Sequence, residues 1–145
     1  MRVVIQKVLS SSVEVDNKIV GKIDKGLNVL VGYTETDTSK DIDYIVNKIV
    51  NLRIFDDENG VMNRSVLDVG GEVLLISQFT LYGDAKKGNR PSYIQALGGE
   101  KAIKLYEETL EKLKNKIHVE SGVFGADMKV MINNDGPTTI IIDSK

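Results

Sequence analysis

Segments with the pattern of β-strands outnumber helical segments in this chain and do not alternate with them regularly. Alternating or β-branched runs occupy residues 2–8, 12–15, 19–23, 26–33, 72–79, 117–120, 128–132 and 139–142. No linker, repeat or low-complexity tract interrupts them, so we predict one domain over residues 1–145. This order of elements predicts an α+β fold with mixed or antiparallel sheets and the helices on one side.

Two helices are predicted with some precision. Thr38 is suited to cap the first, with Asp41 three residues later and an apolar face formed by Ile42, Ile45, Val46 and Ile49. The second covers residues 100–114, where apolar residues recur at helical spacing. Pro91 is suited to the first turn of a further, short helix.

The composition restricts the chemistry that the chain can perform. It contains no cysteine and a single histidine, His118. A disulfide scaffold, a cysteine-rich zinc site, an iron–sulfur cluster and a thiol nucleophile are therefore excluded. We expect His118 to be an ordinary strand residue and expect no metal or cofactor. Any catalysis would use hydroxyls, amides, carboxylates, lysines, backbone groups or the substrate itself.

Charge and hydropathy narrow the possible partners and the compartment. With 19 basic and 21 acidic residues the net charge is −2, so no overall basic field favours DNA. No apolar run approaches the roughly 20 residues of a membrane-spanning helix. The first residues lack the continuous apolar segment of a signal peptide. We expect a cytoplasmic protein that binds neither membrane nor DNA.

The segment Ser77-Gln78-Phe79-Thr80-Leu81 ends a strand that is otherwise apolar. Polar groups at such a position cost free energy unless they are hydrogen-bonded. They therefore either close the strand locally or face a site, and the residue pattern leaves both interpretations open.

The segment Asn134-Asp135-Gly136-Pro137-Thr138-Thr139 lies between two short strands. Asp-Gly and Gly-Pro are common in turns, so an ordinary turn explains it. A cis Gly136-Pro137 bond would instead allow two carbonyls to point the same way and form an uncharged acceptor surface.

Taken together, these two segments resemble the paired signatures of the D-aminoacyl-tRNA deacylases, the D-tyrosyl-tRNA deacylase family. The similarity covers nearly the whole chain and includes residues 1–6, 48–57, 68–71 and 124–128. The resemblance implies hydrolysis of the ester between a D-amino acid and the 3′-terminal adenosine of tRNA, and of mischarged glycyl-tRNA. It also implies a three-layer ββα sandwich, a homodimer and no cofactor.

The resemblance assigns roles to individual residues. The catalytic segment would be Ser77, Gln78, Phe79 and Thr80. Gly136 and Pro137, joined by a cis bond, would enter the partner subunit's site and reject L-aminoacyl-tRNA. Supporting positions are Lys7, Asn134, Thr139 and Met128. The acceptor end of the tRNA would pass a basic loop that contains Lys86, Lys87 and Arg90.

Three positions depart from the family's usual residues. Thr138 replaces a valine, Gly83 replaces an alanine, and Lys7 replaces an arginine that would help to orient the Gly-Pro unit. Lysine lacks the planar, bidentate fork of arginine.

Two mechanisms remain open: Thr80 as a covalent nucleophile, or water assisted by the ribose 2′-hydroxyl and an oxyanion hole of backbone N–H groups. The alternative function is a non-catalytic dimeric module that binds an amino acid or an RNA 3′ end.

Overall fold

The structure is a computed structural model that describes all residues from 1 to 145. It contains eight β-strands, two α-helices and one 3₁₀ helix. In chain order these are β1 (Arg2–Val15), β2 (Lys18–Ile23), β3 (Gly26–Gly32), α1 (Ser39–Asn51), β4 (Phe55–Asp56), β5 (Met62–Arg64), β6 (Glu72–Ser77), the 3₁₀ helix (Phe79–Tyr82), α2 (Gly99–Lys114), β7 (Val119–Ser121) and β8 (Lys129–Asp143).

Six of the strands form one mixed sheet in the order β2-β1-β3-β6-β7, with β8 paired to β1. β1 is antiparallel to β2, β3 and β8, whereas β3, β6 and β7 run parallel to one another. β4 and β5 form a separate two-stranded sheet. The predicted α+β class with a mixed sheet is confirmed.

The large sheet bends so strongly that its ends meet. The backbones of β2 and β7 are in close contact. A Cβ atom placed on Gly21 of β2 would lie only 2.7 Å from the Ser121 carbonyl oxygen of β7. Side chains from β1, β2 and β6 then enclose a second apolar core of Val8, Val13, Ile23, Leu74 and Ile76. One hydrogen-bonded sheet therefore supplies both β layers, and the helices supply the third.

The main core lies between the sheet and the two helices, which pack on one face of it. The predicted cap of α1 is present: the Thr38 hydroxyl accepts from the Lys40 N–H, and the Asp41 carboxylate accepts from the Thr38 N–H. The predicted apolar face is buried in this core, and it consists of Ile42, Ile45, Val46 and Ile49. Neither helix is long and apolar enough to cross a membrane.

Two pairs of strands that were predicted as separate are continuous in the structure. Residues 2–8 and 12–15 belong to one strand, β1, and residues 128–132 and 139–142 belong to one strand, β8. Register shifts in β1, between Gln6 and Val8 and between Val8 and Ser10, keep the two strands paired across the interruption. Bulges of this kind absorb extra residues without ending a strand.

The predicted short helix at Pro91 is absent. Ser92 instead forms a two-hydrogen-bond bridge with Asp84, with N–H to carbonyl distances of 2.8 Å in both directions. Because these bonds satisfy the backbone locally, the segment closes a loop rather than starting a helix.

Candidate active site

The candidate active site forms where β6 ends inside the sheet. Ser77 is the last residue of β6 and lies opposite Val31 of β3. The next N–H, that of Gln78, still donates to the Val31 carbonyl at 2.7 Å. The chain then leaves the sheet and turns directly into the 3₁₀ helix Phe79–Tyr82. The polar end of the strand is thus held at a defined point by the neighbouring strand.

The 3₁₀ helix presents backbone donors at its start. Its last turn is closed by the Gly83 N–H, which donates to the Thr80 carbonyl at 2.9 Å. The N–H groups of Phe79 and Thr80 lie in the first turn, where a helix has no internal carbonyl for them. The Gln78 side-chain amide donates to the Thr80 hydroxyl. Two backbone donors, an amide and a hydroxyl therefore converge at this turn.

A cavity of about 650 Å³ opens beside the turn. Its lining includes Ser77, Gln78 and Phe79, together with Met128, whose predicted role was only supporting. The opposite side comes from the start of α2, and most lining residues are apolar. A cavity of this size and character suits a small organic ligand whose polar groups are held at one end.

Tyr106 of α2 supports the far wall of the cavity. Its ring lies 5.5 Å from that of Phe124, and its hydroxyl donates to the Leu75 carbonyl at 2.9 Å. Burial raises the pKa of Tyr106 to about 12, although a hydrogen bond with Ser121 acts in the opposite direction. The hydroxyl therefore keeps its proton at neutral pH and ties α2 to the strand that carries Ser77.

The segment 134–139 forms a bulged section of β8. Its Gly136-Pro137 peptide bond is cis, the isomer that the resemblance implies. The Asn134 amide donates to the carbonyls of Lys7 and Thr138, both at 3.0 Å. Gly136 and Pro137 are exposed, and neither lines the cavity of its own chain.

Two further supporting positions lie near this segment. The buried Lys7 side chain forms an ion pair with Asp135 at 3.9 Å, which is beyond hydrogen-bonding distance. The Thr139 hydroxyl accepts from the Gln6 amide at 3.3 Å. Lys7 therefore holds the segment through its backbone carbonyl more closely than through its ammonium group.

The three predicted basic residues lie on one exposed loop. Lys86, Lys87 and Arg90 all fall between Asp84 and Ser92, whose bridge closes the loop. The Asp84 carboxylate also accepts from the Lys86 N–H at 2.9 Å. None of the three basic side chains lines the cavity, so the loop stands beside it as a separate positive surface.

His118 lies away from this site. Its imidazole is 3.4 Å from Glu72 and 3.0 Å from Glu120, at the other end of β6 from Ser77. Five residues of strand correspond to roughly 16 Å, so His118 cannot serve as a base for Thr80. No group of three or more histidine, aspartate or glutamate side chains converges as a metal site would require.

Two aromatic parts of this site were not predicted from the sequence. Tyr93 lines the cavity and packs on Phe79, and Phe124 lines it from the loop after β7. Phe124 was noted only as part of a family-like stretch, without a role. Tyr93 falls within the short helix that was predicted to begin at Pro91, and no local pattern distinguishes it from a surface aromatic residue.

Comparison with known proteins identifies relatives that span the whole chain. The family model described as D-Tyr-tRNA(Tyr) deacylase matches residues 4–143. A protein of Clostridium tetani (strain Massachusetts / E88), named D-aminoacyl-tRNA deacylase, is 64% identical over 100% of this chain and 98% of its own length. A protein of the same name from Clostridium botulinum (strain Loch Maree / Type A3) is 58% identical with the same coverage.

Two solved structures share the fold. One, described as a c-Myc DNA unwinding element binding protein, is 40% identical, with a TM-score of 0.95 over 100% of this chain and 99% of that chain. The other, described as a probable eukaryotic D-amino acid tRNA deacylase, is 18% identical, with a TM-score of 0.83 over 97% of each chain.

Proposed function

The chain belongs to the D-Tyr-tRNA(Tyr) deacylase family, and we propose that it hydrolyses the ester bond of D-aminoacyl-tRNA, releasing the free amino acid and tRNA. It is an enzyme of chirality proofreading and acts on the acceptor end of its substrate in the cytoplasm. Glycine mischarged onto tRNA is a second substrate, because the smallest amino acid presents no side chain for a chirality filter to reject.

One observation carries this proposal beyond family membership. The end of β6 places Ser77, Gln78 and Phe79 in the lining of an apolar cavity, and Thr80, which does not line it, follows directly in the first turn of the 3₁₀ helix. Ester hydrolysis develops negative charge on the carbonyl oxygen, and fixed backbone donors stabilise that charge without reorganising.

The contacts of Thr80 favour water over Thr80 as the nucleophile. Its hydroxyl accepts from the Gln78 amide, and an amide is no base that could remove the hydroxyl proton. The single histidine lies at the other end of β6. In our proposal water attacks the ester, the ribose 2′-hydroxyl beside it takes part in proton transfer, and the N–H groups of Phe79 and Thr80 hold the oxyanion.

The cavity is suited to the terminal adenosine. The rings of Phe79 and Phe124, which line it, offer apolar faces on which a base can stack. Ser77 and Gln78 would then lie at the ester, between the adenosine and the amino acid. The loop with Lys86, Lys87 and Arg90 stands beside the cavity and would contact acceptor-end phosphates.

The chirality filter in this proposal comes from a second copy of the chain. Gly136 and Pro137 are exposed and lie outside the cavity of their own chain, so they are free to enter a partner's site. An apolar row, Ile141, Val4 and Leu30, crosses three adjacent strands, and Ile141 is 64% exposed. Such a row supports a homodimer, because burial of this face would remove apolar surface from water.

The substrate test compares two esters that differ only in the configuration of one carbon. We expect rapid deacylation of D-tyrosyl-tRNA and a rate on L-tyrosyl-tRNA that is lower by about 100-fold or more, since a rejecting contact discriminates strongly. Release of free tyrosine is measured, with glycyl-tRNA and a D-tyrosyl mononucleotide ester in parallel. Equal rates on the two tyrosyl-tRNAs would refute proofreading, and equal efficiency on the mononucleotide ester would indicate a small-ester esterase.

The mechanism test separates the two nucleophiles. Water attack predicts that Thr80→Ala retains substantial turnover and that tRNA ending in 2′-deoxyadenosine is cleaved much more slowly. A burst of product together with a trapped acyl-enzyme would show instead that Thr80 is the nucleophile. The non-catalytic alternative predicts binding of D-tyrosyl-tRNA with no release of free D-tyrosine above the rate without protein.

A further inference from the structure

Tyr93 lies where the basic loop meets the catalytic turn. It directly follows Ser92, whose backbone is bridged to Asp84 by two 2.8 Å hydrogen bonds. Its ring lines the cavity and meets the Phe79 ring edge to face, with centroids 5.2 Å apart and planes inclined by 69°. This geometry is one of the favoured arrangements of an aromatic pair.

The same ring also touches the other end of the 3₁₀ helix. A Cβ atom on Gly83 would lie 3.0 Å from Tyr93 Cε1 and 3.0 Å from the Thr80 carbonyl oxygen. Gly83 caps the helix by donating its N–H to that carbonyl at 2.9 Å. Tyr93 therefore contacts Phe79 at the start of the turn and Gly83 at its end, with Thr80 between them.

Phe79 needs such a support because little else covers it. Its side chain is 58% exposed, and Tyr93 is the only aromatic ring packed against it. An exposed ring without a neighbour exchanges between rotamers, and the ring then no longer restrains the first turn of this four-residue helix. The N–H groups that form the proposed oxyanion hole belong to Phe79 and Thr80, so motion at Phe79 would move the donors themselves.

We infer that Tyr93 is a positioning residue for deacylation. Its ring holds Phe79, and with it the turn that carries Thr80, in the position from which their N–H groups can reach the substrate. This inference rests on the proposed function and adds a residue outside the catalytic segment. The hydroxyl of Tyr93 has no hydrogen-bond partner within the chain, so the ring rather than the hydroxyl carries the role.

The experiment compares Tyr93→Leu, which removes the ring, with Tyr93→Phe, which keeps it. Steady-state kcat and KM are measured on D-tyrosyl-tRNA. We expect Tyr93→Leu to lower kcat about tenfold with KM changed less than twofold, because misplaced donors act mainly in the transition state. Tyr93→Phe should remain within about twofold of the unmodified protein in both constants.

Tyr44→Leu is the matched control. Tyr44 is 46% exposed, close to the 41% of Tyr93, but it lies on α1 and does not line the cavity. Its substitution should leave kcat unchanged. Thermal unfolding is followed for all variants, and Tyr93→Met replaces Tyr93→Leu if the latter is unfolded at the assay temperature.

Three results would overturn the inference. They are an unchanged kcat in Tyr93→Leu, an equal loss in Tyr44→Leu, and a Tyr93→Phe variant as impaired as Tyr93→Leu. A second readout, the NMR order parameter of the Thr80 N–H, should fall in Tyr93→Leu and not in Tyr93→Phe. An unmodified protein without activity on D-tyrosyl-tRNA would refute the proposed function instead, while the order parameter would still test the positioning.

Discussion

At the scale of single residues, Gly136 is held in a conformation that side chains rarely adopt. Its φ is +117°, and a Cβ atom there would lie 2.6 Å from the Thr138 hydroxyl oxygen. Thr138 is buried, and its carbonyl is held by the Asn134 amide, so it has little room to move away. The positive φ and the close contact with Thr138 therefore each favour glycine at this position.

We therefore expect Gly136→Ala to lower the free energy of unfolding by about 1–3 kcal/mol, since a residue in a sparsely populated backbone region carries that cost. Gly60→Ala is the matched control, because Gly60 has a φ of +74° and open space around its Cβ position. Urea unfolding measures both. If Gly136→Ala loses no more free energy of unfolding than Gly60→Ala, Thr138 can move away from the added methyl group, and the close contact does not require glycine.

At the scale of elements, helix α1 depends on a buried carboxylate at its start. Burial alone would raise the pKa of Asp41, but hydrogen bonds from the Thr38 backbone, Ser144 and Lys145 outweigh it and hold the pKa well below its usual range. Ionised Asp41 therefore stabilises the fold. That contribution is present above the unfolded-state pKa of about 4 and is lost as the pH falls towards the folded-state value.

We expect the free energy of unfolding to fall more steeply with decreasing pH below about pH 4 in the unmodified protein than in Asp41→Asn. The difference in slope approaches about 1.4 kcal/mol per pH unit, which corresponds to one proton. Urea unfolding between pH 2.5 and 7 measures it. Asp43→Asn, on the exposed side of the same helix, is the control, and identical slopes in Asp41→Asn and the unmodified protein would contradict the assignment.

The basic loop is the second element whose role can be isolated. We expect the double substitution Lys86→Glu and Lys87→Glu to raise KM for D-tyrosyl-tRNA about three- to tenfold at low salt, with kcat little changed, and the effect to shrink at high salt. Lys114→Glu with Lys116→Glu makes the same charge change at the end of α2, away from the cavity. An unchanged KM would remove the loop from the tRNA interface.

At the scale of the whole molecule, one chain presents only half of the proposed site. The cavity and catalytic turn lie on one part of the surface, while Gly136 and Pro137 project outside that cavity. Ile141, the exposed end of the apolar row, lies on the same strand, β8, as this pair. Activity and dimerisation should therefore be lost together.

We expect Ile141→Glu to shift the protein towards monomer and to lower deacylation in proportion, because a charge in an apolar interface is costly. Ile19→Glu is the control: Ile19 is 62% exposed and lies opposite Glu14, at the other end of β1 from Val4. Sedimentation velocity measures the state of assembly. A monomeric Ile141→Glu variant with full activity and unchanged D/L selectivity would show that the site is complete in one chain.

The local pattern of the sequence was sufficient for most elements. Thr38, Asp41 and the isoleucines of α1 form a cap and an apolar stripe within one stretch of chain, so the helix could be predicted from neighbours alone. The same held for α2, which was predicted over residues 100–114 and extends over Gly99–Lys114. The proposed catalytic segment stands out because polar residues end an apolar strand, a contrast that is also local.

The α+β class, the main helices, the family and the exclusion of thiol chemistry followed from the sequence, because each depends on composition, on neighbouring residues or on motifs in a fixed order along the chain. The continuity of β1 and β8, the loop closed by Ser92 and the packing of Tyr93 on Phe79 became evident only in three dimensions. These features depend on register shifts and contacts between distant segments. The residues that stabilise these features lie far apart in the chain, so no local sequence pattern reveals them.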